Sequence, residues 1–460
     1  MPKILARNSV PPGSVEPQSA RDRLLPWAWF VIVLIILWVL LRASSYGERA
    51  SVYRAVALAA EAFRSPVWAA LLAAAAAGLF WMARRSRVER AGSVAAPAPN
   101  VLLRAEPSGC LTVVVPGTRG ALAADHVIRR NRDRERELLL RFDGLARRAS
   151  SLSSDAAGGA LEGGARRDAA REIEAEARAL GLDLAEVLLG ADPRARDRLL
   201  DLPGGALLLS MQPELTVFPW ELLVLAPGAR FLWQLFDVSR QIRGTSAAVP
   251  AAQQREGPAR LLLLANLEAG GARRLPHAER EAEAIMDVGA SRPDVLRVVR
   301  KTPADANELR LVLREGYDVV HFAGHGVTSA AGAVGWMLPS GSLVEPEAVL
   351  GSSVAPPRLV FSNCCASAPG PGLAERGGRD LALGLMRAGV PAYLGTQWEA
   401  PDEGAAAFAG AFYRSLATGA PLAQAVGLAR SRVMGRFEIT WANYVLYGDP
   451  ELALAPGGRR

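Results

Sequence analysis

Residues 317–326 read YDVVHFAGHG, and residues 358–367 read RLVFSNCCAS. Each contains a Val/Leu/Phe run with the length of a buried parallel strand. Each run stops at residues able to move a proton or attack carbon: His325 between Gly324 and Gly326 in the first, Cys364 and Cys365 in the second. In an open α/β sheet, functional groups gather beyond the carboxyl ends of the strands. A histidine and a cysteine delivered to neighbouring strand ends are the parts of a thiol nucleophile and its general base.

The sequence around these runs alternates in the same way. Strands are expected at 261–265, 295–299, 318–322, 359–363, 392–397 and 441–446. Helices are expected at 276–287, 302–314, 380–388, 403–416 and 421–434, the second capped by Thr302 with Pro303 at its first position. Such alternation implies a parallel sheet covered on both faces. Residues 258–455 therefore read as one α/β domain. The polar stretch TSAAVPAAQQREG (245–257) separates it from an α+β region at 101–244. There the sequence predicts a strand in CLTVVVPG (110–117), helices at 126–148, 166–189 and 195–200, and a loose small-residue loop at 150–164. A strand and turn leading to FPWELL (218–223) follow, then a strand pair at 231–243.

At 460 residues the chain has length for two or three domains. Its formal net charge is +7, but the arginines that carry it alternate with Asp and Glu on helix-like segments, the pattern of solvated helix faces. No basic stretch is interleaved with aromatics, so no nucleic-acid partner is expected. Three cysteines, two of them adjacent, argue against a disulfide framework and for a reducing compartment.

Residues 1–23 form a cationic tail. After it, LLPWAWFVIVLIILWVLL (24–41) is uncharged and close to the ~20 residues that cross a hydrocarbon core, with tryptophans suited to the interfaces. PVWAALLAAAAAGLFWM (66–82) is a second uncharged run, followed at once by ARRSRVER. Basic residues accumulate on the cytoplasmic side. A transmembrane hairpin over 24–82 with both ends in the cytoplasm satisfies both flanks. A basic, Pro/Ala-containing linker at 83–100 then leads to a cytoplasm-facing remainder on the inner membrane.

Within the candidate site, the Gly326 amide is a candidate oxyanion donor beside the nucleophile's own amide. His321 lies inside a strand and reads as a core histidine. His321 and His325 stand four apart, but strand-like residues and GHG cannot supply the helical face that zinc ligation at this spacing needs. No metal or other cofactor is expected. Either Cys364 or Cys365 could be the nucleophile, the other being a small buried hydrophobe. Asp402, beyond another strand end, could receive a basic substrate side chain or cap the helix that follows.

HFAGHG, LVFSNCCAS, GTQWEAPDE and WANYVLYGDP together resemble the CHAT domain, a caspase-like peptidase domain of the clan that includes caspases, separase and gingipains. FPWELL (Pro219, Trp220, Glu221) and LPHAEREA (275–282) resemble phrases that precede its active site. The resemblance covers about 200–455 and extends weakly back to about 100. It implies a caspase-like, parallel-rich sheet flanked by helices, here preceded by an α+β pro-region and two transmembrane helices. It implies a cysteine endopeptidase with His325 as base and Cys365 as nucleophile, Cys364 taking the small-residue position. Ala368 stands where the family usually has glycine, and Pro401 where an acidic residue often precedes the aspartate. Bacterial relatives are linked to defence and regulated cell death, some cleaving a pore-forming partner. The partners this implies are a protein substrate, a signalling or pore-forming protein encoded nearby, and an activator that the sequence does not identify.

Overall fold

The computed structural model describes residues 98–117, 123–157, 163–245, 257–265, 276–328, 334–350, 356–364, 367–368, 381–398 and 402–454. The tail, both expected membrane spans and most of the linker lie outside the described residues, as does Cys365. Among the described residues, no helix is long and apolar enough to cross a membrane.

The first elements are β1 (Asn100–Ala105), β2 (Cys110–Val115), β3 (Ala124–Arg129), α1 (Arg132–Ala157), α2 (Gly163–Leu189), α3 (Arg194–Leu200) and β4 (Gly205–Met211). A one-turn helix α4 (Leu232–Leu235) leads into β5 (Phe236–Ile242). The second run comprises β6 (Ala259–Ala265), α5 (Pro276–Ser291), β7 (Leu296–Arg300), α6 (Ala306–Leu313), β8 (Val319–Ala323), β9 (Gly326–Thr328), β10 (Val334–Met337), β11 (Leu343–Val344) and α7 (Pro346–Leu350). It closes with β12 (Leu359–Asn363), α8 (Leu381–Arg387), β13 (Ala392–Thr396), α9 (Asp402–Ala417), α10 (Leu422–Val433), α11 (Thr440–Asn443) and β14 (Tyr444–Gly448).

One eleven-stranded sheet runs through both regions in the order β3-β2-β1-β4-β5-β14-β13-β12-β8-β6-β7. Pairing is parallel except for β1–β2, β2–β3 and β13–β14. The expected boundary at 245–257 thus falls between two strands of one sheet, and residues 97–460 form one compact unit. Strand alternation assigns the faces. Leu261, Leu263, Val319, Phe361 and Leu394 join one core with α5, α9 and α10. Leu262, Leu264, Val320, Val360 and Tyr393 join another with α6, α7, α8 and Trp336.

Several expected elements are corrected. The helix expected from residue 126 begins at Arg132, because residues 124–129 pair along their whole length with β2. The small-residue loop at 150–164 is helix as far as Ala157, since α1 packs along α2 around the buried Ala149 and Ala177, and packing overrides weak propensity. The helix expected from Thr302 starts later. Asp305 caps it, its carboxylate accepting the Asn307 and Glu308 amides at 2.8 and 3.0 Å. The strand pair at 231–243 is one bridge between Val224 and Phe231, the short α4, and then β5. Residues 440–443 form α11 instead of strand, with Trp441 buried against Phe231 and Trp233.

The junction between the regions is charged and buried. Arg240 on β5 donates its Nε to Glu221 Oε1 at 2.9 Å and a second bond from Nη2 to Oε2, while Nη1 donates to the Thr216 carbonyl at 2.7 Å. Burial works to raise the Glu221 carboxyl, but the adjoining Arg240 guanidinium holds it below the usual carboxylate range. Replacing Arg240 alone by methionine strands a buried carboxylate and is expected to cost about 3–5 kcal/mol in urea unfolding. Glu221→Leu together with Arg240→Met is expected to recover most of that loss.

Candidate active site

His325 and the cysteine pair are delivered by adjacent parallel strands. β8 and β12 pair in register from Val319↔Leu359 to Ala323↔Asn363. His325 is the second residue after Ala323, and Cys365 the second after Asn363. Neighbouring strands lie ~4.8 Å apart, so this register ends the two strands side by side at Ala323 and Asn363.

The half-buried His325 leads directly into a three-stranded sheet, β11-β10-β9. Met337 donates its amide to the His325 carbonyl at 3.1 Å, and Gly326 lies opposite Trp336. That bond makes Gly326–Trp336 a non-hydrogen-bonded antiparallel pair, so the Gly326 N–H points away from β10. Trp336 fixes the small sheet to the large one. Its ring stacks on Phe322 with centroids 4.7 Å apart, and its indole N–H donates to Ser362 Oγ at 2.6 Å. Gly324 allows the close passage: a Cβ there would meet the Phe322 ring at 2.7 Å.

The segment carrying the cysteines is held on both sides of residue 365. Cys364 is buried, 4% exposed, with Sγ 3.7 Å from Ser362 Oγ. Its carbonyl accepts the Thr396 hydroxyl of β13. Ser367 donates to the Ser362 carbonyl at 2.7 Å and accepts the Thr396 amide at 3.0 Å, and its own carbonyl accepts the Tyr393 hydroxyl. Ala368 donates to the Thr396 carbonyl at 2.8 Å. Beyond β13, the amides of Gln397 and Trp398 donate to the Asn443 carbonyl and to Asn443 Oδ1 at 2.9 and 2.7 Å. The WANY phrase therefore braces the TQW phrase. Asp402 is the first residue of α9.

Below the strand ends lies a buried polar cluster that reading the sequence missed. Asn363 Nδ2 donates to Glu281 Oε1 of α5 at 2.6 Å. His321 Nε2 lies 2.9 Å from the same oxygen, and His321 Nδ1 lies 3.0 Å from the Tyr413 hydroxyl. Tyr444 donates to Asn363 Oδ1 at 3.0 Å. Burial, and after it the Glu281 charge, raises the Tyr413 and Tyr444 hydroxyls well above the ordinary tyrosine value, so both keep their protons. His321 is the core histidine its place in a strand predicts. Glu281 lies in LPHAEREA, which resembles a family phrase, but within a charged helix nothing in ERE marks this glutamate as buried.

The CHAT domain family model matches residues 178–449. The chain belongs to the CHAT domain family. No curated protein matches it. The CHAT fold seen here is similar to a chain of the Saccharomyces cerevisiae separase–securin complex, with a TM-score of 0.50 and 12% identity over 76% of this chain and 30% of that one. It is also similar to the Arg-specific cysteine proteinase gingipain R (RGPB), with a TM-score of 0.40 and 13% identity over 57% of this chain and 67% of that one. A chain from the complex of Porphyromonas gingivalis RgpB pro- and mature domains matches with a TM-score of 0.36 and 12% identity, covering 54% and 66% of the two chains. The likeness to the separase–securin chain is one of fold: a largely parallel sheet flanked by helices, as in caspase-like proteases.

Ser367→Ala removes a buried donor and acceptor that together join β12 to β13. A loss of about 1–3 kcal/mol in urea unfolding is expected. An unchanged midpoint would show that Ser367 contributes nothing to holding the segment.

Proposed function

We propose that the chain is a membrane-anchored, caspase-like cysteine endopeptidase. The observation that supports this reading is the Ala323↔Asn363 register of adjacent strands, with His325 and Cys365 each two residues further on in the sequence. Cys365 is the nucleophile and His325 the base. Cys364, buried against Ser362, takes the small-residue place. His325 accepts the Cys365 thiol proton as Sγ attacks the scissile carbonyl, then passes that proton to the departing amine. Water, deprotonated by the same imidazole, releases the acyl group. The outward Gly326 amide and the Cys365 amide receive the oxyanion. Asp402, on the segment following the neighbouring strand β13, receives a basic substrate side chain.

The substrate is a protein, a signalling or pore-forming partner encoded nearby, and the setting is bacterial defence or regulated cell death. The hairpin at 24–82 holds the peptidase at the inner membrane, facing the cytoplasm. A catalytically silent CHAT-fold receptor or scaffold is the rival reading, and the test separates the two.

New protein amino termini are compared in cells that co-express the chain with its genomic neighbours. Termini that appear with wild type, persist with Cys364→Ala and vanish with Cys365→Ala and His325→Ala are expected. Identical termini in all four would favour the silent scaffold. For the anchor, deletion of 24–82 is expected to move the protein from the alkali-resistant membrane fraction to the soluble one. Full-length protein already in the soluble fraction would remove the hairpin from the proposal.

A further inference from the structure

Glu281 is buried, 3% exposed, on the helix-facing side of the sheet, and no step of peptide hydrolysis calls for it. Its Oε1 accepts a hydrogen bond from Asn363, the last residue of β12, at 2.6 Å and lies 2.9 Å from His321 Nε2 in the middle of β8. Asn363 in turn accepts Tyr444 of β14, and His321 meets Tyr413 of α9. A buried carboxylate is costly unless paired and hydrogen-bonded. Here its partners belong to the two strands that carry the candidate histidine and cysteine. Apolar residues at these positions would fill the core without placing a charge there. What the polar cluster adds is direction. The Asn363 amide is oriented at both ends, by a carboxylate that can only accept and a tyrosine hydroxyl that donates. Strand alternation then sends the next side chain, Cys364, to the opposite face, where it packs in the other core.

We propose that Glu281 is a positioning residue for the cysteine site, its carboxylate holding Asn363, the last residue of β12, beside His321 in the middle of β8, so that the chain running on to the cysteines starts from a fixed strand end. The proposal rests on the protease reading for what is positioned. The tie itself can be tested without a substrate.

In a Cys364→Ala background, the full chain is alkylated with iodoacetamide from mildly acid to alkaline pH, and modification of Cys365 is followed by mass spectrometry. Asn363→Asp sets a second carboxylate at the position now held by the amide, 2.6 Å from Glu281 Oε1. Alkylation is expected to slow about tenfold or more at neutral pH. The defect should shrink as pH falls and one of the facing carboxyls takes up a proton. Glu281→Gln combined with Asn363→Asp exchanges amide and carboxylate, and should bring the rate back to within about threefold of wild type. A wild-type rate for Asn363→Asp, or a double variant as slow as the single while both melt cooperatively, overturns the proposal. If Asn363→Asp does not fold, Glu281→Leu is compared with Glu281→Gln. Slower alkylation in Leu alone supports the tie, and equal rates sink it. His325→Ala is scored separately. An unchanged alkylation profile in that variant defeats the protease reading, while the comparison between Glu281 and Asn363 stands.

Discussion

The parallel register of β8 against β12 is the constraint on which the site depends. It fixes two things together: how far each chain has travelled when it leaves the sheet, and which face each last residue serves. Residues 321, 361 and 363 look toward α5 and α9, and residues 320, 322, 360 and 364 toward the other core. A slip of one residue would exchange those faces. Phe361 would leave the aromatic cluster it shares with Phe412, Tyr413 and Tyr444, and Cys364 would lose its apolar surroundings. Both faces of the strands are buried, so the penalty falls on every side chain of the slipped strand.

A second constraint joins the two halves. β14, near the end of the described chain, lies between β5 and β13, antiparallel to β13 and parallel to β5. Residues 101–244 therefore complete the sheet that holds the site. The interface carries charge where a sheet interior is usually apolar. Arg240 pairs with Glu221, and Arg430 of α10 donates to the Tyr444 carbonyl. Burial pushes the Arg430 guanidinium down to about 10, against the pull of Glu221. Such pairs contribute little net stability over apolar replacements, but they punish every arrangement that separates them. Gly448 adds a geometric lock. Its φ is +110°, and a Cβ there would lie 2.2 Å from the Pro391 carbonyl oxygen.

Much of the α/β order was legible because the central strands are continuous apolar runs. Residues 359–363 are strand to the residue. Reading failed where long-range contacts decide. Residues 124–129 are charged and unremarkable until β2 lies beside them. Thr302 and Pro303 form a good local start signal, yet Asp305 is the residue whose carboxylate reaches two amides. At the site, the histidine and cysteines were visible as chemistry-bearing types at strand ends. Glu281 was not, since a buried glutamate and a solvated one are the same letter, and only its distances to Asn363 and His321 separate them. The frame around Cys364 was equally silent. Ser362 and Ser367 of one phrase and Thr396 of another are small polar residues that meet only once β12 and β13 are paired.

The phrases that most resemble the family do two kinds of work. FPWELL supplies Glu221 to a buried arginine, WANY braces TQW, and YGDP turns the chain where a side chain would collide. These are supports, and a relative without any activity would need them as much as a protease does. HFAGHG and SNCCAS are different. The small sheet beyond position 325 is held through the His325 carbonyl and the Trp336 side chain. Fold membership thus follows from the many supports, and the argument for chemistry rests on the residue types at the ends of β8 and β12.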